Sequence, residues 1–137
     1  VVELAREKTR MGEESSVAHK PTFQRNLAHH EAMWRAAHRL VVDTYTDMEA
    51  RIEAGEELTP AMRTDMRLAA NFATEAAREI TQFAHLAAGT TAIREGSRLE
   101  RAFRDIYTGT QHAFISEKVY IESGRILLGL IEDSPAV

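Results

Sequence analysis

Histidine and carboxylate side chains are the groups in this sequence whose types and spacing could perform chemistry. The adjacent residues His29, His30 and Glu31 offer two imidazoles and a carboxylate, which are ligands that zinc and iron accept. Adjacent residues of a helix point to different sides, however, and the Glu-x-x-His pairs that hold a di-iron site in a helical bundle are absent. The sequence therefore predicts no metal site.

Nucleophilic catalysis has no support in the sequence either. The chain contains no cysteine, so that thiolate chemistry and disulfide bonds are excluded. A serine nucleophile on a strand-turn-helix elbow needs Gly-x-Ser-x-Gly, and a dinucleotide loop needs Gly-x-Gly-x-x-Gly; neither motif occurs. No reaction can be assigned from isolated motifs.

The composition limits the partners. The chain has 137 residues, enough for one domain with its own core, and a net charge of −4 from intermixed acids and bases. This charge pattern does not indicate a nucleic-acid surface. The longest apolar run, residues 126–131, is too short to cross a bilayer. The absence of cysteine is compatible with a reducing, cytoplasmic location.

Hydrophobic periodicity predicts an all-α fold, an up-down helical bundle. Apolar or aromatic residues recur every three or four positions along a first long helix, at Phe23, Leu27, His30, Trp34, Ala37, Val41, Tyr45, Met48 and Ile52. A second face follows at Met62, Met66, Ala69, Ala73, Ala76, Ile80, Phe83 and Ala87. Gly55 and Gly89 are expected to end the two helices, and Thr59-Pro60 to begin the second.

The shorter elements are less regular. Ser97 and Glu100 have the spacing of a capping box and predict a third helix. Residues 114–130 are apolar enough for another, and residues 1–11 are typical of the end of a helix that begins upstream. Residues 12–20 are polar and are expected to form a linker. Trp34 and the methionines are expected in the core.

Three stretches carry a family resemblance. They are Gln-Phe-Ala-His-Leu-Ala-Ala-Gly-Thr-Thr-Ala-Ile from Gln82, Leu-Glu-Arg-Ala-Phe-Arg-Asp-Ile-Tyr from Leu99 and Thr-Gln-His from Thr110. With the alanine-rich helix after Glu57-Leu-Thr-Pro, they resemble the C-terminal helical domain of the acyl-CoA dehydrogenase superfamily. The resemblance covers essentially the whole chain. It implies that residues 1–137 are one C-terminal bundle, cut from a protein with an N-terminal helical domain and a middle β-domain.

The position of Gln111-His112 indicates a branch of that superfamily. Acyl-CoA dehydrogenases commonly place a catalytic glutamate there, but no glutamate follows until Glu117. Together with the closing Tyr120…Gly124-Arg125…Leu128-Gly129-Leu130, the pattern resembles flavin-dependent monooxygenases. The resemblance implies a parent enzyme that hydroxylates an aromatic or steroid-type substrate with reduced flavin and O2. An acyl-CoA dehydrogenase-like oxidoreductase and a non-catalytic oligomerisation bundle are the alternatives.

The resemblance also implies roles for individual residues. His112 would be catalytic beside the flavin, either donating a hydrogen bond or taking the proton of a phenol; the alternative is a histidine that caps a helix junction. Gln82 and Gly89 would contact the cofactor. Arg101, Arg104 and Asp105 are expected to be architectural, locking helices by ion pairs.

The partners and cofactor follow from the same resemblance. The parent would use FMN or FAD, receive reduced flavin from a flavin reductase, act on a small aromatic substrate and form a homo-oligomer, which by analogy with the superfamily would be a tetramer. The isolated 137-residue chain is expected to bind flavin weakly and to be inactive, because it has no strands to build a site for the flavin ring.

Overall fold

Five α-helices and two short 3-10 turns make up the protein, for which a computed structural model describes residues 1–137. The helices are α1 (Val2–Glu7), α2 (Pro21–Glu53), α3 (Pro60–Ala88), α4 (Arg98–Gly109) and α5 (Glu117–Leu127). The turns span Val17–His19 and Gly89–Thr91. No strand is present, and one isolated bridge joins Thr9 to Ser16. The predicted all-α fold is confirmed.

The two long helices begin and end where local signals predict. The hydroxyl oxygen of Thr59 accepts the backbone N–H of Met62 at 3.3 Å and so caps the start of α3. Gly55 follows α2 with φ +87° and Gly89 follows α3 with φ +55°. Both glycines adopt the left-handed conformation that commonly ends a helix.

The shorter elements differ from the sequence expectation. Helix α1 ends at Glu7, and Lys8 has extended backbone angles, so the predicted helix through residue 11 is wrong. Helix α5 covers only residues 117–127 of the predicted 114–130. Residues 12–20 include the turn Val17–His19, in which Val17 is buried. This segment therefore contributes to a core.

The chain divides into two compact units. Unit 1 comprises Val1–Arg35 and Ala76–Thr108, and unit 2 comprises Ala36–Glu75 and Gly109–Val137. Both long helices contribute to each unit. None of the helices combines the length and the hydrophobicity needed to cross a membrane.

The core of unit 1 brings the N-terminal arm against the start of α2 and the end of α3. Ala5, Val17 and Phe23 are buried together. The ring of Phe83 stacks on Phe23, with centroids 5.7 Å apart, and on His30, with centroids 4.3 Å apart. These aromatic contacts hold α2 and α3 antiparallel within the unit.

The core of unit 2 is built around the start of α3. Its buried apolar residues are Ala37, Met48, Met62, Ala69, Val119 and Val137, and its buried polar residues are Thr64, Asn71, Ser123 and Ser134. Arg63 forms an ion pair with Asp133, and the N–H of Ser134 donates to the same carboxylate at 2.7 Å. The hydrogen bond from Arg63 lowers the pKa of Asp133 below its usual value. These contacts hold the segment after α5 against α3.

The tryptophan and the methionines, which were all expected in the core, differ in how far they are buried. Met48 and Met62 are buried as predicted, but Trp34 is 51% exposed and Met11 is fully exposed. Fewer residues of α2 are buried than its apolar face predicts, because only Phe23, Ala37 and Met48 are buried along that face. The prediction that Trp34 is a core residue is wrong.

The hydroxyl of Tyr120 makes the stability of unit 2 depend on pH in the alkaline range. It donates to Oε2 of Glu75 at 3.0 Å. Burial, followed by the bond to Glu75 and its charge, raises the pKa of Tyr120 from 10.0 to about 12. A group whose pKa is raised on folding contributes stability that is complete below its unfolded value and is lost as pH rises through the folded value.

We expect wild type to lose stability between pH 10 and about 12 more steeply than Tyr120→Phe. Urea unfolding across this range measures the difference. Tyr45→Phe is the matched control, because the Tyr45 hydroxyl reaches only a backbone carbonyl, at 3.5 Å. Parallel curves for wild type and Tyr120→Phe would contradict the assignment.

Candidate functional site

His112 is an exposed residue of the loop 110–116 between α4 and α5. Its backbone N–H donates to the carbonyl of Gly109 at 3.2 Å, and its carbonyl accepts the N–H of Ile115 at 2.8 Å. The ring nitrogen Nδ1 accepts the backbone N–H of Phe114 at 3.2 Å. In the neutral imidazole one nitrogen accepts and the other carries the proton, so this bond places the proton on Nε2.

Helix α3 holds this loop through Asn71. The side chain of Asn71 is 1% exposed. Its Nδ2 donates to the carbonyl of Phe114 at 3.0 Å and to that of Arg67 at 3.1 Å, and its Oδ1 accepts the N–H of Ser116 at 3.0 Å. A buried carboxamide with these bonds is satisfied only when the loop takes this path.

A cation–π contact holds the ring of Phe114 in the same loop. The guanidinium of Arg67 lies 3.8 Å from the centroid of Phe114, whose ring lies 5.7 Å from that of His112. Sequence reasoning missed both Asn71 and Arg67. The signal that could have found them is their spacing with Thr64, because steps of three and four mark a second face on α3.

Gln82 and Gly89 lie near the end of α3 in unit 1, whereas His112 belongs to unit 2. Both residues are exposed. The ammonium of Lys8 donates to the carbonyl of Ala88 and to the hydroxyl of Thr91, the latter at 3.1 Å. A Cβ added at Gly89 would lie 3.5 Å from that ammonium. Gly89 thus ends α3 under a lysine that caps the helix.

The arginines of α4 do not join helices as predicted. Arg104 pairs with Glu100 at 3.6 Å within α4, and its side chain is 67% exposed. Arg101 and Asp105 are exposed as well. The expectation that Arg104 locks neighbouring helices is wrong, and a surface pair of this kind contributes little to stability.

His30 packs against Phe83 and Glu79 of α3. Its Nδ1 donates to the carbonyl of Asn26 at 2.7 Å, its ring stacks on Phe83, and Nε2 lies 3.8 Å from the carboxylate of Glu79. No group of three histidine, cysteine, aspartate or glutamate side chains is placed to hold a metal ion.

Comparison with known proteins identifies the family. Residues 1–117, which include α1 to α4 and the loop with His112, match the family model described as acyl-CoA dehydrogenase, C-terminal domain. The chain belongs to this family. The resemblance carried by the segment from Gln82 to His112 is therefore confirmed.

Two curated relatives of the chain are both named as monooxygenases. An indole-3-acetate monooxygenase of Acinetobacter baumannii is 31% identical over 116 residues, which are 85% of this chain and 30% of that protein. An indole-3-acetate monooxygenase of Pseudomonas putida is 27% identical over 114 residues, which are 83% of this chain and 29% of that protein. The chain thus spans less than a third of the length of these relatives.

Gly89 provides a test of its structural role that needs no cofactor. We expect Gly89→Ala to destabilise the chain by about 1–2 kcal/mol, because an L-residue pays this cost in the left-handed conformation. Gly109→Ala is the matched control: Gly109 lies in α4 with open space around it and without a positive φ, so that change should be neutral or stabilise by up to about 1 kcal/mol. Urea unfolding without flavin measures both, and equal stabilities would contradict the role.

Proposed function

We propose that the chain is the C-terminal helical domain of a flavin-dependent monooxygenase that hydroxylates an aromatic substrate with reduced flavin and O2. Membership of the acyl-CoA dehydrogenase C-terminal domain family over residues 1–117 supports the proposal. The names of the two relatives support the monooxygenase branch and the aromatic substrate. Because those relatives are about three times as long, the proposal includes further domains: an N-terminal helical domain and a middle β-domain.

The observation that carries the proposal is the state of His112. Its ring is exposed, and its Nδ1 is occupied by the N–H of Phe114. The ring is therefore held in one orientation while Nε2 remains available to a reacting group. An imidazole near neutrality can donate a hydrogen bond to a developing charge or move a proton.

The side chains present fit a flavin. Reduced flavin would supply the electrons that activate O2, and its carbonyl and phosphate oxygens need hydrogen-bond donors. His112 offers an imidazole N–H, and Gln82 offers an exposed amide. The ammonium of Lys8 beside Gly89 places a positive charge at the end of α3. We propose that His112 of unit 2 serves the reacting edge of a flavin. For unit 1, taken by itself, we propose that Gln82 and Gly89 contact a flavin cofactor, FMN or FAD.

An acyl-CoA dehydrogenase reaction is the less favoured alternative. It needs a carboxylate that removes a proton from the substrate at the position where this chain has Gln111-His112. The next glutamate, Glu117, is the first residue of α5 and is exposed. Nothing in loop 110–116 supplies that base, because the loop contains no acidic residue.

The exposed apolar residues support a homo-oligomer, for which we propose a tetramer. Large apolar side chains are exposed on α2 and α3, at the end of α5 and after it, among them Trp34, Leu40, Val42, Tyr45, Ile52, Phe72, Leu127, Leu128 and Leu130. Exposed apolar surface of this extent is typical of protein interfaces.

We further propose that a flavin reductase supplies the reduced flavin and that the protein is cytoplasmic. We expect the isolated chain to act as an oligomerisation bundle.

We expect the 137-residue chain to assemble at micromolar concentration, because burying these side chains between copies is favourable. Light scattering measures the mass. Val42→Glu, which places a charge on a side chain that is 43% exposed, should shift the chain towards 15.4 kDa without unfolding it. Ala36→Glu, on the same helix, is the control. A wild type that is entirely monomeric would contradict the oligomer.

The central chemical prediction concerns His112 in the full-length protein. His112→Ala should leave folding nearly intact, because the side chain is exposed. Coupled hydroxylation should fall by about tenfold to a thousandfold, with O2 consumption diverted to H2O2, because general acid–base assistance is lost. Product and H2O2 are measured together.

His29→Ala is the matched control, since His29 is an exposed histidine of α2. Normal hydroxylation by His112→Ala together with a lower melting temperature would show that His112 only caps the helix junction. The catalytic assignment would then be wrong.

A further inference from the structure

Asn71 is a polar side chain buried in unit 2 and joined to the loop that carries His112. We propose that Asn71 is a positioning residue that fixes His112 as a hydrogen-bond donor through Nε2. This inference rests on the proposed function of His112. The inference adds a residue of α3 to the candidate site. It also favours one of the two roles considered for His112, hydrogen-bond donation rather than proton abstraction.

The connection runs through Phe114. The carbonyl of Phe114 accepts Nδ2 of Asn71 at 3.0 Å, and the N–H of Phe114 donates to Nδ1 of His112 at 3.2 Å. Two residues further on, the N–H of Ser116 donates to Oδ1 of Asn71 at 3.0 Å. The carboxamide therefore holds the loop at two points, and these fix the direction in which the N–H of Phe114 points.

The ring of Phe114 is held as well. The guanidinium of Arg67, one turn before Asn71 on α3, lies 3.8 Å from the ring centroid. Phe114 is thus bound through its carbonyl by Asn71 and through its ring by Arg67. A residue fixed at both ends keeps its N–H in place for the imidazole.

The direction of this N–H decides what His112 can do. When Nδ1 accepts a backbone N–H, the neutral ring carries its proton on Nε2. Nε2 can then donate to an oxygen in the site, but it cannot take a proton from a phenol, because it already carries a proton and has no free lone pair. The arrangement favours donation over proton abstraction.

The first experiment uses nuclear magnetic resonance on the 137-residue chain, without flavin. We expect wild type to show a coupling through the hydrogen bond between the Phe114 amide nitrogen and Nδ1 of His112, with the proton on Nε2. In Asn71→Leu, exchange of the Phe114 amide hydrogen should become about tenfold faster, which is the loss of roughly one hydrogen bond.

Thr64→Val is the matched control for Asn71→Leu. Thr64 is equally buried on α3, and its hydroxyl donates to the carbonyl of Pro60 rather than to the loop. The control should leave exchange at Phe114 unchanged. Equal exchange in wild type and Asn71→Leu overturns the inference. If Asn71→Leu does not fold, the coupling in wild type decides, and its absence overturns the inference without any variant.

The second experiment measures coupled hydroxylation by the full-length protein. His112→Gln keeps an amide donor near the position of Nε2 and should retain at least about tenfold more coupled hydroxylation than His112→Ala, within the range of lost acid–base assistance. Asn71→Leu should lower hydroxylation in wild type but have no further effect in His112→Ala, because coupled residues are not additive. Additive losses, or a glutamine variant no better than alanine, overturn the inference. If His112→Ala hydroxylates normally, the proposed function fails, while the resonance result still decides whether Asn71 positions the ring.

Discussion

The buried carboxamide of Asn71 is the constraint on which loop 110–116 depends. Burying an amide without hydrogen bonds costs several kcal/mol by transfer measurements, on the order of 2–7 kcal/mol. Asn71 avoids that cost by bonding the carbonyl of Phe114 and the N–H of Ser116. The same two bonds set where the loop ends and α5 begins, since Ser116 precedes the first residue of that helix. A single polar side chain on α3 thereby holds the loop with the candidate catalytic residue at two points.

Helix α3 serves the structure through two faces. Met62, Ala69 and Ala76 form a buried apolar face, and Thr64, Arg67 and Asn71 follow the same steps of three and four on a second, polar face. The small alanines allow close packing, while the polar face supplies bonds of fixed direction. Apolar contacts favour burial without direction, whereas hydrogen bonds and the Arg67–Phe114 contact select one path for a loop. The polar residues of α3, rather than its apolar residues, therefore fix the geometry of the candidate site.

The features that were predictable from the sequence are the local ones. The bounds of α2 and α3 follow from hydrophobic periodicity, from the Thr59 cap and from the glycines that end each helix. Two of the errors concern packing between distant parts of the chain rather than local conformation. Trp34 has the spacing of a core residue but is half exposed, and Arg104 pairs within its own helix. His112 was identified only through a family resemblance. Asn71 was missed because the burial of a polar side chain depends on which loop packs against it.

We propose that the loop held by Asn71 presents His112 to a flavin in the full-length protein. A crystal structure of the full-length protein with flavin bound would show whether it does. We predict that Nε2 of His112 lies within hydrogen-bond reach of the reacting edge of the flavin ring, roughly 3 Å from an oxygen there or through one water. We also predict that Nδ1 still accepts the N–H of Phe114. A flavin ring separated from His112 by other side chains, with the imidazole facing solvent, would contradict the claim.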